Sequence, residues 1–272
     1  MLKKLIKHEF IAMARYFLPL YLFAIILTPV FSLIFRPGLY ENAGPVTGIM
    51  SGLGITGFIF TMVALFIASS IFIVIRFYRT TATSEAYLTF TLPAKPGQIL
   101  CSKLLVASIW QLASFVVALI AILGMLLISG IFTPAQMSHG ISMLFNYIFH
   151  HDSVSSGTIV LTILSYSLIM LVGIPSGILL YYCSIILGQL FNEHRVIASF
   201  GIYIAISTVM QIVSFIATIP ISLLFDLGNG SSANALAYMN ATMFLATGLN
   251  VIIGAGCYIA TVMIMKKKLN VR

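Results

Sequence analysis

Charged side chains are nearly missing from this sequence: Asp, Glu, Lys and Arg together make up 7% of 272 residues, against roughly 25% in soluble domains. Too few polar groups remain to clothe a wetted surface. An aqueous globule is therefore excluded, and most of the surface must face hydrocarbon. Cysteine is scarce as well. Cys101, Cys183 and Cys257 lie far apart and form no C-x-x-C pair, which excludes a disulfide framework and a thiolate zinc site. Cys183 and Cys257 fall inside apolar runs, where cysteine behaves as a small hydrophobe. The six acids are Glu9, Glu41, Glu85, Asp152, Glu193 and Asp226, all in loops or near the ends of apolar runs. No carboxylate, Lys, Arg or His sits at the centre of a run. That argues against a proton- or ion-coupled pump, which keeps ionisable groups there as relay or counter-ion.

Catalytic and nucleotide motifs are missing too. No G-x-x-x-x-G-K-[ST] occurs, so the chain cannot cradle nucleotide phosphates in a Walker loop. Neither H-E-x-x-H nor G-x-S-x-G is present. The sequence offers no catalytic residue, no metal-ligand set and no cofactor bound directly. His139, His150, His151 and Asp152 lie close together, but consecutive residues project in different directions, and exposed loop polarity is the better reading.

What is abundant is apolar length: 60% of residues are hydrophobic and the mean hydropathy is +1.10. Six runs stand out, at Tyr16–Phe35, Leu53–Ile75, Leu104–Ser129, Ile159–Leu190, Val196–Phe225 and Ala241–Met265. Each reaches the roughly 20 residues that carry a helix across the hydrocarbon core. Helix is required there because lipid offers no partner to backbone N–H and C=O groups. The fourth and fifth runs exceed one crossing, and Pro175 and Pro220 are candidate kinks. The fold class is all-α: a polytopic bundle of about six transmembrane helices in a single domain.

The net charge of +8 belongs to membrane topology, not to a nucleic-acid partner. Lys3, Lys4, Lys7 and Arg15 precede the first run. Arg76, Arg79, Lys95 and Lys103 lie between the second and third, Arg195 between the fourth and fifth, and Lys266, Lys267, Lys268 and Arg272 after the sixth. Thirteen of the fourteen basic residues thus fall on one side, and only Arg36 on the other. The positive-inside rule then puts both termini in the cytoplasm and the spans in the cell membrane. The first run is too long for a signal-peptide core and lacks a small-x-small cleavage site. The two halves show no matched broken helices.

Several segments outside the spans carry a pattern. In residues 1–15, Leu2, Leu5, Ile6, Phe10 and Met13 can share one helical face and Lys3, Lys4, Lys7 and His8 the remainder, which predicts a basic amphipathic helix in the inner interface. The cytoplasmic loop 76–103 contains Tyr87, Leu88, Phe90 and Leu92, unusually apolar for a segment in water. Such a cluster is a docking surface or packs on the inner ends of the spans. In the external segment 130–158, Thr133-Pro134 has the form of an N-cap and first helical residue. Met137, Ile141, Leu144, Phe145 and Ile148 recur at helical spacing, so an interfacial helix is predicted over about Pro134–Phe149. Gly44, Gly48 and Gly52, and the pair Gly173 and Gly177, have small-xxx-small spacing that permits close helix approach. Gln111, Gln189, Gln211 and Asn250 are the amides at membrane depth, read chiefly as interhelical glue. Asn229 and Asn240 match glycosylation sequons weakly.

The layout of six spans, a basic amphipathic N-terminus and a loop between spans two and three resembles the membrane subunits of bacterial ABC exporters of the six-helix type-2 class. The stretch Glu85-x-Tyr87-Leu88-x-x-Thr91-Leu92-Pro93 followed by Ile99-Leu100-x-Ser102-Lys103 is similar to that of small permeases of Gram-positive bacteria. The resemblance implies a permease paired with a second, identical or homologous permease, above two separate ABC ATPase subunits. ATP and magnesium would be held by the ATPase partner. The coupling segment would be about Thr81–Leu92, with Glu85, Tyr87, Leu88 and Phe90 as ATPase contacts. The cargo it implies is amphiphilic: a peptide, drug or lipid. Half-crossing helices, frequent in that family between spans five and six, have little room in 226–240. A non-transport subunit for peptide-antibiotic sensing or immunity is the alternative, with the external helix as sensor.

The charge asymmetry makes a direct prediction. Single cysteines placed at residues 84 and 272, on a background lacking the native three, should react with a membrane-impermeant maleimide only after the membrane is opened. A cysteine at residue 41 should react in intact cells. The reverse pattern would overturn the orientation.

Overall fold

The computed structural model describes residues 2–35, 45–82, 96–131, 133–150, 156–191, 194–225 and 232–267, with no strand among them. Its helices are α1 (Leu2–Ile34), α2 (Pro45–Ala82), α3 (Pro96–Ile128), α4 (Pro134–His150), α5 (Ser156–Gly188), α6 (Arg195–Leu224) and α7 (Ser232–Lys267). All but α4 are long and apolar enough to cross a membrane. The chain is a multi-pass membrane protein with six candidate spans.

All six predicted runs lie in these helices to within two residues at their C-terminal ends, but every spanning helix overshoots a single crossing. Lengths of 30 to 38 residues correspond to about 45–57 Å at the α-helical rise, beyond the roughly 30 Å of hydrocarbon. The excess length expected for the fourth and fifth runs is thus shared by the helices of the other four. Basic residues placed beside the runs are on the helices themselves: Lys3, Lys4 and Lys7 on α1, Arg76 and Arg79 on α2, Lys103 on α3, Lys266 and Lys267 on α7. Stopping a helix at the hydrocarbon edge would strand four terminal backbone groups where water is scarce. Continuing into the polar zone avoids that. Segment 1–15 is described from Leu2 and runs without a break into the first span. Met13 is buried, Leu5 and Ile6 are half-buried, and Lys3, Lys4, Lys7 and His8 are exposed.

The predicted external helix is α4, with both of its expected N-terminal residues in place. Thr133 is the cap: its Oγ1 accepts from Gln136 N at 3.2 Å, and Gln136 Oε1 accepts from Thr133 N at 2.8 Å. This reciprocal capping box satisfies two of the orphan N–H groups. Ile141 and Phe145, one turn apart, are exposed. At the end of α3, Gly130 adopts φ +75°, a left-handed conformation that favours glycine at a helix terminus.

The chain folds as two compact units, Ile6–Ile73 with Ile109–Phe145, and Met1–Leu5 with Val74–Ser108 and Asn146–Arg272. In the first, Trp110 stacks on Phe10 at 4.9 Å and on Phe17 at 5.1 Å. Tyr21 donates to the Trp110 carbonyl at 2.7 Å and shares a 2.9 Å bond with Ser114. Ser32 donates to Met125 O at 3.1 Å, beside a core of Phe58, Ala121 and Met125 flanked by Phe31, Phe35 and Met62. Helices α1 and α2 meet at Gly54, where an added Cβ would lie 2.8 Å from Phe35 N.

In the second unit α5 packs against α6 and α7, and α6 against α7. Asn240 holds α7 to α5: its Nδ2 donates to Thr162 Oγ1 at 3.0 Å, and its Oδ1 lies 3.1 Å from Ser165 Oγ. At 4% exposure this residue is a buried clamp, in keeping with the weakness of its sequon match. Further along, Ser176 donates to Asn250 O at 2.9 Å. The helices approach closely because residue 254 is glycine, where a Cβ would come within 2.7 Å of Ser176 Oγ. Gly48, Gly52, Gly173 and Gly177 have nothing within 4 Å of an added Cβ. Their spacing does not mark close approaches within the described residues, whereas Gly54 and Gly254 do. Gly44 lies outside those residues. Pro19, Pro29, Pro175 and Pro220 are all accommodated inside helices.

Replacing Asn240 with Ala removes both cross-helix bonds, while Ser165 keeps its bond to Thr162 O within α5. The expected loss is about 1–2 kcal/mol, measured as SDS-induced unfolding in mixed micelles. Asn240→Asp should not be neutral either, because it buries a charge.

Candidate functional site

Two places carry polar chemistry in the second unit: the base of the loop between α2 and α3, and the middle of α5, α6 and α7. The proposed contact residues Glu85, Tyr87, Leu88 and Phe90 lie in 83–95, outside the described residues. What the structure describes is how both ends of that loop are anchored. Helix α2 continues to Ala82, so Thr81 belongs to its last turn, and α3 begins at Pro96.

These ends are buried. Phe77, Thr81, Ile99, Leu100 and Ser102 are at most 1% exposed. Lys103 is 5% exposed, and its Nζ donates to Thr80 Oγ1 at 2.9 Å, tying α3 to α2. Thr80 and Thr81 direct their hydroxyl protons to carbonyls of their own helix, at Arg76 and Phe77. Burial of a lysine is costly unless it is partnered, so this contact holds the two loop ends in a defined relation. The ring of Phe77 lies on Tyr182 of α5, with centroids 3.7 Å apart and planes 10° from parallel. Tyr182 is itself 1% exposed. A displacement of the loop base would therefore bear directly on α5.

Comparison with protein-family models, curated proteins and solved structures finds no match. Function must be argued from these residues alone.

The amides at membrane depth divide into two groups. Asn250 Nδ2 donates to Ala246 O at 2.8 Å, within its own helix. Gln111 Oε1 and Gln189 Nε2 are buried with no hydrogen-bond partner among the described residues. Gln211 is exposed on α6. The strongest interhelical amide is Asn240, which is not one of the four that the sequence marks for that role. It stands immediately before the apolar run that starts at Ala241 and so has the look of a loop residue. Only the register of α5 against α7 brings Thr162 and Ser165 to it.

No group of three or more His, Cys, Asp or Glu side chains that could hold a metal occurs among the described residues. Cys183 on α5 and Cys257 on α7 are both buried. No disulfide joins them.

The stacked pair joins α2 to α5. Phe77→Ala should cost about 3–5 kcal/mol, the usual range for emptying a buried aromatic position. Phe77→Leu, which keeps most of the volume, should cost less than half of that. Thermal unfolding of the two variants in detergent reads the difference, with Ile67→Ala at an exposed position of the same helix as the control.

Proposed function

We propose that this chain is the membrane-spanning permease subunit of an ATP-driven ABC exporter, with the ATPase on a separate subunit. The observation that carries the reading is the anchored loop base. The apolar segment 83–95 joins two helix ends that are buried, bonded through Lys103 and Thr80, and stacked through Phe77 onto Tyr182 of α5. A partner pressing on such a loop moves packed side chains, not a flexible tether. Close-packed interiors transmit displacement because they resist compression.

Other features support the same role. The spans lack central ionisable residues, so the energy for movement comes from outside them. The sequence has no phosphate-binding loop of its own, and the ATP and magnesium would reside on the partner. Both termini and the 83–95 loop lie on the cytoplasmic side in this reading, where the basic residues concentrate. Two permeases, identical or homologous, would pair and alternate between inward- and outward-facing states as the ATPases close and open. The spans expose many large apolar residues, including Leu22, Phe60, Phe200 and Phe215, and an amphiphilic cargo suits such surfaces better than a small ion.

Affinity capture from native membranes in mild detergent tests the assignment. A Walker-containing subunit should copurify with the wild type and be lost with Leu88→Asp, since a charge at the centre of an apolar contact costs about 2 kcal/mol or more, roughly 30-fold in affinity. Its retention by the variant would move the docking site elsewhere. Its absence from a folded wild-type preparation would sink the permease reading.

A further inference from the structure

A half-open cleft lies among α5, α6 and α7, with a volume of about 400 Å³, inside the roughly 300–1,000 Å³ range of small-molecule sites. Its depth is decided by where its residues fall. Ser207, Gln211 and Ser214 occupy the middle of α6 (Arg195–Leu224), and Asn250 the middle of α7 (Ser232–Lys267). The cleft is thus in the hydrocarbon region, far from both helix ends.

Its lining has two characters. Leu180, Met210, Leu249 and Ile253 make an apolar wall, while Ser176, Ser207, Gln211, Ser214 and Asn250 supply polar groups. Several of these are already engaged. Ser176 donates to Asn250 O, Ser207 to Ile204 O at 3.0 Å, and Asn250 to Ala246 O. Asn250 retains its carbonyl oxygen and one N–H. The Gln211 amide makes no hydrogen bond to the described residues. A primary amide has two donors and a carbonyl acceptor, and leaving them unpaired in hydrocarbon is strongly unfavourable. No Asp, Glu, Lys, Arg or His lines the cleft, so a charged group entering it would find no counter-ion. Gly177 leaves space at the rim: an added Cβ there meets nothing within 4 Å.

The geometry points to a binding site for an uncharged amphiphile, held through an amide or hydroxyl by Gln211 and Asn250, with its apolar body along Leu180, Met210, Leu249 and Ile253. Occupancy of this cleft does not depend on the permease proposal; only the further step of calling the occupant its cargo does. The site lies on the same helix as the loop joint, since Ser176 is less than two turns from Tyr182.

The test uses the purified full chain in phosphatidylcholine nanodiscs and an N-dodecyl amide carrying a diazirine, with photoadducts mapped by mass spectrometry. Adducts should concentrate at 176–180, 207–214 and 246–253. Unlabelled N-dodecylacetamide should displace them, with dodecyltrimethylammonium and dodecyl sulfate about ten-fold less effective. Gln211→Leu removes the unpaired amide and should lower cleft labelling about five- to ten-fold, the effect of one hydrogen bond. Gly177→Leu fills the space and should lower it similarly, with the polar groups intact. Neither variant removes a hydrogen bond among the described residues, and an unchanged melting temperature will verify that each is folded. Adducts spread over the exposed faces of all six spanning helices and indifferent to both variants would overturn the site. Equal displacement by the charged chains would do the same. So would efficient crosslinking of Gln211→Cys to itself between two copies with no cleft labelling, because the amide would then be satisfied by a second chain. ATPase capture plays no part in these readouts, so failure here and failure of the permease reading are distinguishable.

Discussion

Hydrocarbon as solvent imposes the constraint on which the rest of this structure depends: every backbone N–H and C=O at membrane depth must find its partner within the protein. Long helices are the answer, and they leave side-chain polarity and shape to specify which helix meets which. Most hydroxyls do not serve that purpose. Thr28, Thr61, Ser70 and Ser184 each bond a carbonyl four residues back in their own helix. A hydroxyl used locally is satisfied when buried but carries no information about neighbours. Specificity falls to the groups that reach across, among them Tyr21 to Trp110 and Ser114, Ser32 to Met125, Lys103 to Thr80, Ser176 to Asn250, and Asn240 to Thr162 and Ser165. These are joined by shape, at Gly54 and Gly254, where only a missing Cβ lets backbones approach.

The same constraint separates the parts of the second unit by role. Around the loop base, side chains are buried and stacked, with Phe77 on Tyr182 and Lys103 on Thr80. Such a region moves as a body or not at all. Helix α6 is the opposite. Only 6% of its most apolar stretch is buried, against 11% for α5 and 22% for α7, and it carries the unpaired Gln211. A lightly covered helix has fewer contacts to break on moving. Tyr203 of α6 meets Tyr181 of α5 at 5.1 Å, next to the residue that receives the loop base. Tyr182 thus stands beside the α6 contact and within two turns of Ser176 at the cleft. In the proposed permease, a push on the loop would have a short and physically continuous path to membrane depth.

Much of the architecture is legible in the sequence because it follows from solvent and from local chemistry. The scarcity of charge dictates a membrane protein. Six runs above the crossing length dictate six spanning helices, and Thr133-Pro134 with Gln136 dictates the start of α4, because a capping box is satisfied within four consecutive residues. None of these needs a distant partner. Helix ends are less legible: 76–103 looks like loop in a hydropathy pattern, yet α2 runs to Ala82 and α3 begins at Pro96, since backbone pairing extends beyond the apolar stretch.

What only the tertiary structure decided is which residues meet. Gly173 and Gly177 have the spacing of a contact motif and open onto space, whereas Gly54 and Gly254 lack that signature and sit against Phe35 and Ser176. Asn240 matches a surface signal and is a buried clamp. The physical reason is common to both. Spacing along one helix defines a face, but its partner is set by the rotation and register of a second helix, and apolar spans of nearly uniform hydrophobicity leave that rotation unmarked in the sequence. The sequence by itself determined the solvent, the number of crossings and the local caps; packing between α5, α6 and α7 alone decided that Ser207, Gln211 and Asn250 would face one cleft.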